Sequence, residues 1–262
     1  MGKRDGFFAS LKEKRLLTVT GCWVFYFLLA LIPLVFLLIT AFSFFGVDLS
    51  LTLAESIPEE FREAVEIIVG TASNVSKSVT VFFVLTTLIS CTTLLNQMSK
   101  DGDYIYGEEG KKRGIFRRLW ALLLICVLFL LFIAFALCFS FRSAILVRFG
   151  NDAKRIVTII SFAVIIVFAY AIIMLLNGFI SPSKLRFLPL AVGSFVSLCI
   201  TVLGTILLIL YIRFFTDFNA FYGSLAGIIV FFLWAFILML ALAFGSFICM
   251  RLSLVGKGEK NA

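Results

Sequence analysis

The side chains in this chain best placed to do chemistry inside a membrane are uncharged. Thr86, Ser90, Thr93 and Gln97 follow one another at steps of four, three and four, with Thr87, Thr92 and Asn96 beside them. On a helix they form one polar face. Hydroxyls and amides of this kind either line a cavity that holds a polar headgroup or join one helix to the next, helix association being the commoner use. Gly193, Ser197, Thr201 and Thr205 repeat at strict intervals of four with Gly204 adjoining, which makes a small face that another backbone can approach. Tyr222-Gly223-Ser224-Leu225-Ala226-Gly227 places Gly223 and Gly227 four apart, a common packing motif in membrane helices, with Tyr222 at its start. Tyr26 offers one more hydroxyl, for a hydrogen bond across helices or for plain aromatic packing. Ser197, Thr201, Tyr222 and Tyr26 join the polar stripe as candidate cavity-lining positions. Gly193, Gly223, Gly227 and Pro33 are candidate packing or kink positions.

Several reactive groups are missing or badly placed. The chain has no histidine, which removes Ser-His and Cys-His nucleophiles, His-based zinc sites and a histidine proton relay. Asp101, Asp103, Glu108 and Glu109 share one segment with six basic residues, and Asp101-Gly102-Asp103 reads as a solvated turn rather than a metal site. The six cysteines, Cys22, Cys91, Cys126, Cys138, Cys199 and Cys249, all lie in apolar runs without a CxxC pair, as small core residues do. No catalytic residue, metal or cofactor is expected, and the chain is not read as an enzyme.

The elements that must carry these residues are long apolar runs. Hydrophobic residues make up 62% of the 262 residues, and the mean hydropathy is +1.12, values that a soluble domain cannot hide from water. Crossing a bilayer takes roughly 20 apolar helical residues. Six runs qualify: Thr18–Gly46, Ser76–Leu95, Leu119–Phe141, Ile156–Ile180, Leu188–Ile212 and Tyr222–Met250. They lack the alternation of a barrel. The expected fold is all-α, a polytopic bundle of six transmembrane helices in a single membrane domain over residues 1–262. The first run is too long for the apolar core of a signal peptide, so it is expected to stay as an anchor, with Pro33 kinking it. Between the first two runs, Ser56-Ile57-Pro58-Glu59 has capping-box spacing, and a short amphipathic helix is expected over Pro58–Val69 in an acidic outer loop. No Asp, Glu, Lys or Arg falls in the middle of a run, which argues against proton antiport.

Sixteen of the 23 basic residues fall in the N-terminal segment, the second and fourth loops and the tail. The other seven are Arg62, Lys77, Arg142, Arg148, Lys154, Arg155 and Arg213. The asymmetry puts both termini in the cytoplasm. The third loop, at 142–155, fits this worst because it holds four of those seven. Topology and anionic lipid headgroups account for the net charge of +8 without nucleic acid, so membrane lipids are the expected partners.

Phe25-Tyr26-Phe27-Leu28-Leu29-Ala30-Leu31-Ile32-Pro33, Ile105-Tyr106-Gly107-Glu108-Glu109 with Arg117-Arg118-Leu119-Trp120, Arg186-Phe187-Leu188-Pro189, and the stretch from Phe218 to Trp234 occur in this order. Together they resemble the YihY/BrkB family of bacterial inner-membrane proteins, once labelled ribonuclease BN, over essentially the whole chain. The resemblance implies six helices with cytoplasmic termini and a lipid-related transport role in the envelope. Two stretches depart from the family. Gly245-Ser246-Phe247 stands where a Gly-Ala-Glu is frequent, and Gln97-Met98-Ser99-Lys100 where members tend to continue Asn-Arg. The first functional expectation is therefore a transporter or flippase-like protein for a lipid or other amphiphile. The second is a non-transporting structural or partner-binding membrane protein of the envelope. RNA cleavage is rejected, because the groups it needs are absent or confined to one basic loop.

Overall fold

The structure, a computed structural model, describes residues 15–44, 77–107, 114–182, 186–214 and 225–258. All the elements among them are helices: α1 (Leu16–Phe44), α2 (Lys77–Tyr106), α3 (Gly114–Ile180), α4 (Phe187–Phe214) and α5 (Leu225–Gly258). Among the described residues four stretches are long and apolar enough to cross a membrane, namely Val81–Tyr106, Ile160–Ile180, Phe187–Phe214 and Ile229–Leu254, and Leu16–Leu31 is a shorter apolar one. The amphipathic helix expected at Pro58–Val69 lies outside the described residues.

The surface is that of a protein solvated by lipid. Phe82, Ile89, Trp120, Phe162, Phe187 and Phe214 face outward, while Thr20, Thr87, Asn177, Ser194, Ser197 and Ser246 are buried. Water would reverse this arrangement. The helices group into two compact units. One draws on Met1–Leu16, Met98–Val202 and Leu240–Ala262, the other on Leu17–Gln97 and Leu203–Met239. Pro33 lies inside α1, which continues through it.

Two expectations about loops are corrected. The first concerns the start of the second loop, where a solvated turn is expected at Asp101-Gly102-Asp103; α2 runs on to Tyr106. Met98, Ser99, Gly102, Asp103 and Ile105 form a buried face along this extension, and that packing outweighs the turn propensity of Asp101-Gly102-Asp103. The helix stops at Gly107, whose φ of 69° and N–H to the Tyr104 carbonyl at 3.2 Å make a left-handed cap. The second concerns the loop expected at 142–155, which is helical, so that the third and fourth runs belong to one 67-residue helix, α3. No proline interrupts that stretch. A straight helix would set Arg117 and Ile180 about 95 Å apart. Yet Arg117 pairs with Asp103, and Ile180 packs against the neighbouring Gly102. The helical run therefore doubles back between them.

Close helix contacts differ in how much they tolerate. At Gly204 of α4 an added Cβ would stand 2.4 Å from Cγ2 of Ile237 on α5, a methyl on a branched Cβ that moves only if a stiff χ1 rotates or the helix shifts. Overpacking of this kind costs about 1–3 kcal/mol, and the better helix propensity of alanine returns about 1 kcal/mol. Gly204→Ala is thus expected to lower the thermal unfolding midpoint in detergent, by less than a substitution that strikes backbone.

Candidate functional site

The polar stripe of α2 does not need the interior partner that its composition suggested. Thr86 Oγ1 donates to the Phe82 carbonyl at 2.8 Å, Thr87 Oγ1 to Phe83 at 2.7 Å and Thr93 Oγ1 to Ile89 at 2.7 Å. Thr92 Oγ1 bonds the Leu88 carbonyl in the same way. Each hydroxyl proton is spent on the helix's own carbonyl four residues back, so the stripe is free to lie at the surface. Thr93 is exposed, and Thr86, Ser90, Asn96 and Gln97 are half-buried. The fully interior residue is their neighbour Thr87. The threonine oxygens keep lone pairs that can still accept a hydrogen bond.

The polar groups that converge lie elsewhere. Asn177 near the end of α3 donates through Nδ2 to Ser194 Oγ at 3.2 Å and to Ser197 Oγ at 3.4 Å, both on α4. Ser246 Oγ on α5 donates to Asn177 Oδ1 at 2.7 Å. All four side chains are fully buried. Beside them the backbones of α4 and α5 meet. A Cβ on Gly193 would lie 2.2 Å from Cys249 Sγ and 2.7 Å from the Gly245 carbonyl oxygen. One on Gly245 would lie 1.7 Å from Ser197 Oγ and 2.7 Å from the Gly193 carbonyl oxygen. Tyr170 on α3 adds a bond to the Ala191 carbonyl at 3.1 Å.

This hub is neutral, and both Asn177 nitrogen protons and its oxygen are engaged. It contains no base to activate a serine, so its chemistry is cohesion. Of the residues picked from the sequence, Gly193 and Ser197 belong to it, Ser197 through its bond from Asn177. Thr201 is half-buried one turn further along. Asn177 reads as part of an Asn177-Gly178 turn, Ser246 stands alone in its run, and Ser194, three residues before Ser197, is overshadowed by the interval-of-four repeat beside it. The available signal was an amide within an apolar run, which must find a partner.

Tyr26 is half-buried and meets Phe25 edge-on at 5.5 Å, as aromatic packing does. Gly227 lies in the first turn of α5, whereas Tyr222 and Gly223 lie outside the described residues. Asp103, expected in a solvated turn, is instead buried and ion-paired to Arg117. Its Oδ1 and Arg117 Nε are buried without a protein hydrogen-bond partner. Among the described residues no three His, Cys, Asp or Glu side chains are grouped to hold a metal.

A family model described as Virulence factor BrkB matches residues 7–259. No curated protein matches the chain, and no solved structure does. At Phe247, where the resemblance leads one to look for a glutamate, the ring is fully buried and the Arg251 guanidinium lies over it, 5.6 Å from its centroid. The cation thus lies against an aromatic face.

Proposed function

The chain belongs to the BrkB virulence factor family, and from that premise we propose that it is a flippase-like carrier for a lipid or other amphiphile in the bacterial inner membrane. In this reading it crosses the membrane six times with both termini in the cytoplasm, and it catalyses no bond cleavage. The observation that carries the reading is the half-exposed polar stripe of α2. Val81, Phe82, Leu85 and Ile89 on the same helix face lipid. Among them Thr86, Ser90, Thr93, Asn96 and Gln97 make a polar track at the protein surface. The threonines are already satisfied through their own helix, so the track is cheap to keep in an apolar surrounding. Its remaining lone pairs suit a headgroup that donates hydrogen bonds. The acyl chains would stay in the bilayer while the headgroup moved along α2.

The neutral hub around Asn177 favours the second reading, a membrane protein that only packs and binds partners. A flipping assay separates the two. The protein is reconstituted into phospholipid vesicles carrying a trace of fluorescent phosphatidylethanolamine, and an impermeant quencher reports the lipid reaching the outer leaflet. The wild-type protein is expected to speed exchange well above protein-free vesicles. The variant Thr86→Val, Ser90→Ala, Thr93→Val, Gln97→Leu is expected to return it to the protein-free rate with its fold intact. Exchange at the protein-free rate for the wild type, or at the wild-type rate for the variant, would move the assignment to the structural role.

A further inference from the structure

Asp103 and Arg117 are the charged residues that the fold treats most oddly. Asp103 lies near the end of α2 and Arg117 in the first turn of α3, across the Gly107 cap. Their side chains are only 13% and 9% exposed. Removing a carboxylate and a guanidinium from water costs several kcal/mol per ion on the scale of buried pairs, and mutual attraction repays that only when the remaining hydrogen bonds are made. Here they are not, because Asp103 Oδ1 and Arg117 Nε lack protein partners. As a permanent clamp the arrangement is poor, since two apolar side chains of similar volume would hold the helices at least as well. A charge pair offers something an apolar contact cannot. When the helices part, water takes up both ions, which offsets part of the cost of exposing Met98 and Ile105 on the same extension.

The seat beside the pair is close: the α2 extension lies against the carboxyl end of α3, where a Cβ on Gly102 would stand 2.0 Å from the Ile180 carbonyl oxygen and 2.9 Å from its Cγ2. Tyr106, one turn beyond Asp103, lies beside Ser181 and Cys249. The contrast with the Asn177 hub is direct: the hub ties α3, α4 and α5 with neutral, engaged groups, whereas the end of α2 is held by a half-satisfied ion pair.

We propose that the Asp103–Arg117 pair is a reversible latch, closed in this structure, whose release lifts the end of α2 from α3 and α5 and uncovers Cys249. This rests on the carrier reading for its purpose, since a carrier must open on the side that the charge asymmetry assigns to the cytoplasm. The test needs no substrate, so failure of the latch and failure of the carrier reading are told apart.

The full-length protein in lipid nanodiscs, with Cys249 as its only cysteine, is treated with a membrane-impermeant maleimide, and the labelling rate is followed by mass. The same protein keeping only Cys199 reports general loosening, and unfolding midpoints are recorded alongside. Asp103→Asn and Arg117→Gln are each expected to raise Cys249 labelling by about tenfold, within the usual range of conformational coupling. Labelling of Cys199 is expected to stay constant, and the exchanged pair Asp103→Arg/Arg117→Asp to restore protection. Cys249 labelling that is unchanged in both single variants would overturn the latch. So would an equal rise at Cys199, or an exchanged pair as reactive as the singles.

Discussion

Gly245→Ala is expected to destabilise the protein by about 1–3 kcal/mol, the usual cost of overpacking, even though alanine is the better helix former by about 1 kcal/mol. The reason is what the new methyl group would strike. It would lie 1.7 Å from Ser197 Oγ and 2.7 Å from the Gly193 carbonyl oxygen. Rotating the serine hydroxyl away is not enough, because the Ser197 Cβ would still stand 3.0 Å from the new methyl group. The carbonyl is α4 backbone and moves only if the whole helix moves. Gly193→Ala meets the same obstacle from the other side, with the Gly245 carbonyl oxygen at 2.7 Å and the Cys249 nitrogen at 3.1 Å. The two glycines share one crossing, so a single separation of α4 from α5 relieves both clashes. The double variant should therefore cost clearly less than the sum of the two single ones, as neighbouring sites do. Unfolding midpoints of the four proteins in one detergent measure this directly. Strict additivity would show that the two positions do not act on one contact.

That crossing was half legible in the sequence. The interval-of-four repeat from Gly193 marked a face of α4 open to close approach, and the structure puts a helix there. The repeat did not name the partner, although Ala241, Gly245 and Cys249 on α5 are small residues at the same interval of four. The apolar runs were legible because their length against bilayer thickness leaves little choice of element. Their ends were not. The run of charged and glycine residues after Leu95 has the composition of a loop, but Met98, Gly102 and Ile105 recur at helical spacing and bury themselves against the protein. Tertiary packing decided the matter over local propensity. The polar stripe of α2 misled in a different way. Sequence gives the position of a threonine but not the destination of its proton, and the nearest acceptor was its own helix. Asp103 and Arg117 looked like ordinary solvated loop charges because nothing in their spacing shows that α2 continues far enough to bring them together.

Asn177→Ala should be the costliest substitution in the hub. It removes three side-chain hydrogen bonds at once and leaves a small void where three helices meet. Hydrogen bonds between membrane helices average about 0.6 kcal/mol and reach about 1.7 kcal/mol, and the void adds to the loss, so about 2–4 kcal/mol is expected. The partners should rank by geometry. Ser246→Ala loses the 2.7 Å bond and strands the Asn177 oxygen, for about 1–2 kcal/mol. Ser194→Ala, at 3.2 Å, should cost less, and Ser197, at 3.4 Å, less again on hydrogen bonding alone. A double-mutant cycle between Asn177→Ala and Ser246→Ala isolates their coupling, because in the absence of Asn177 the second substitution has no oxygen left to strand. Ser246→Ala should then be nearly silent. Had Ser246 been stabilised through its own helix, as the α2 threonines are, its cost would be the same in both backgrounds. An Asn177→Ala variant as stable as the wild type would mean that Gly193 and Gly245 alone hold α4 to α5, and that the buried amide adds no cohesion.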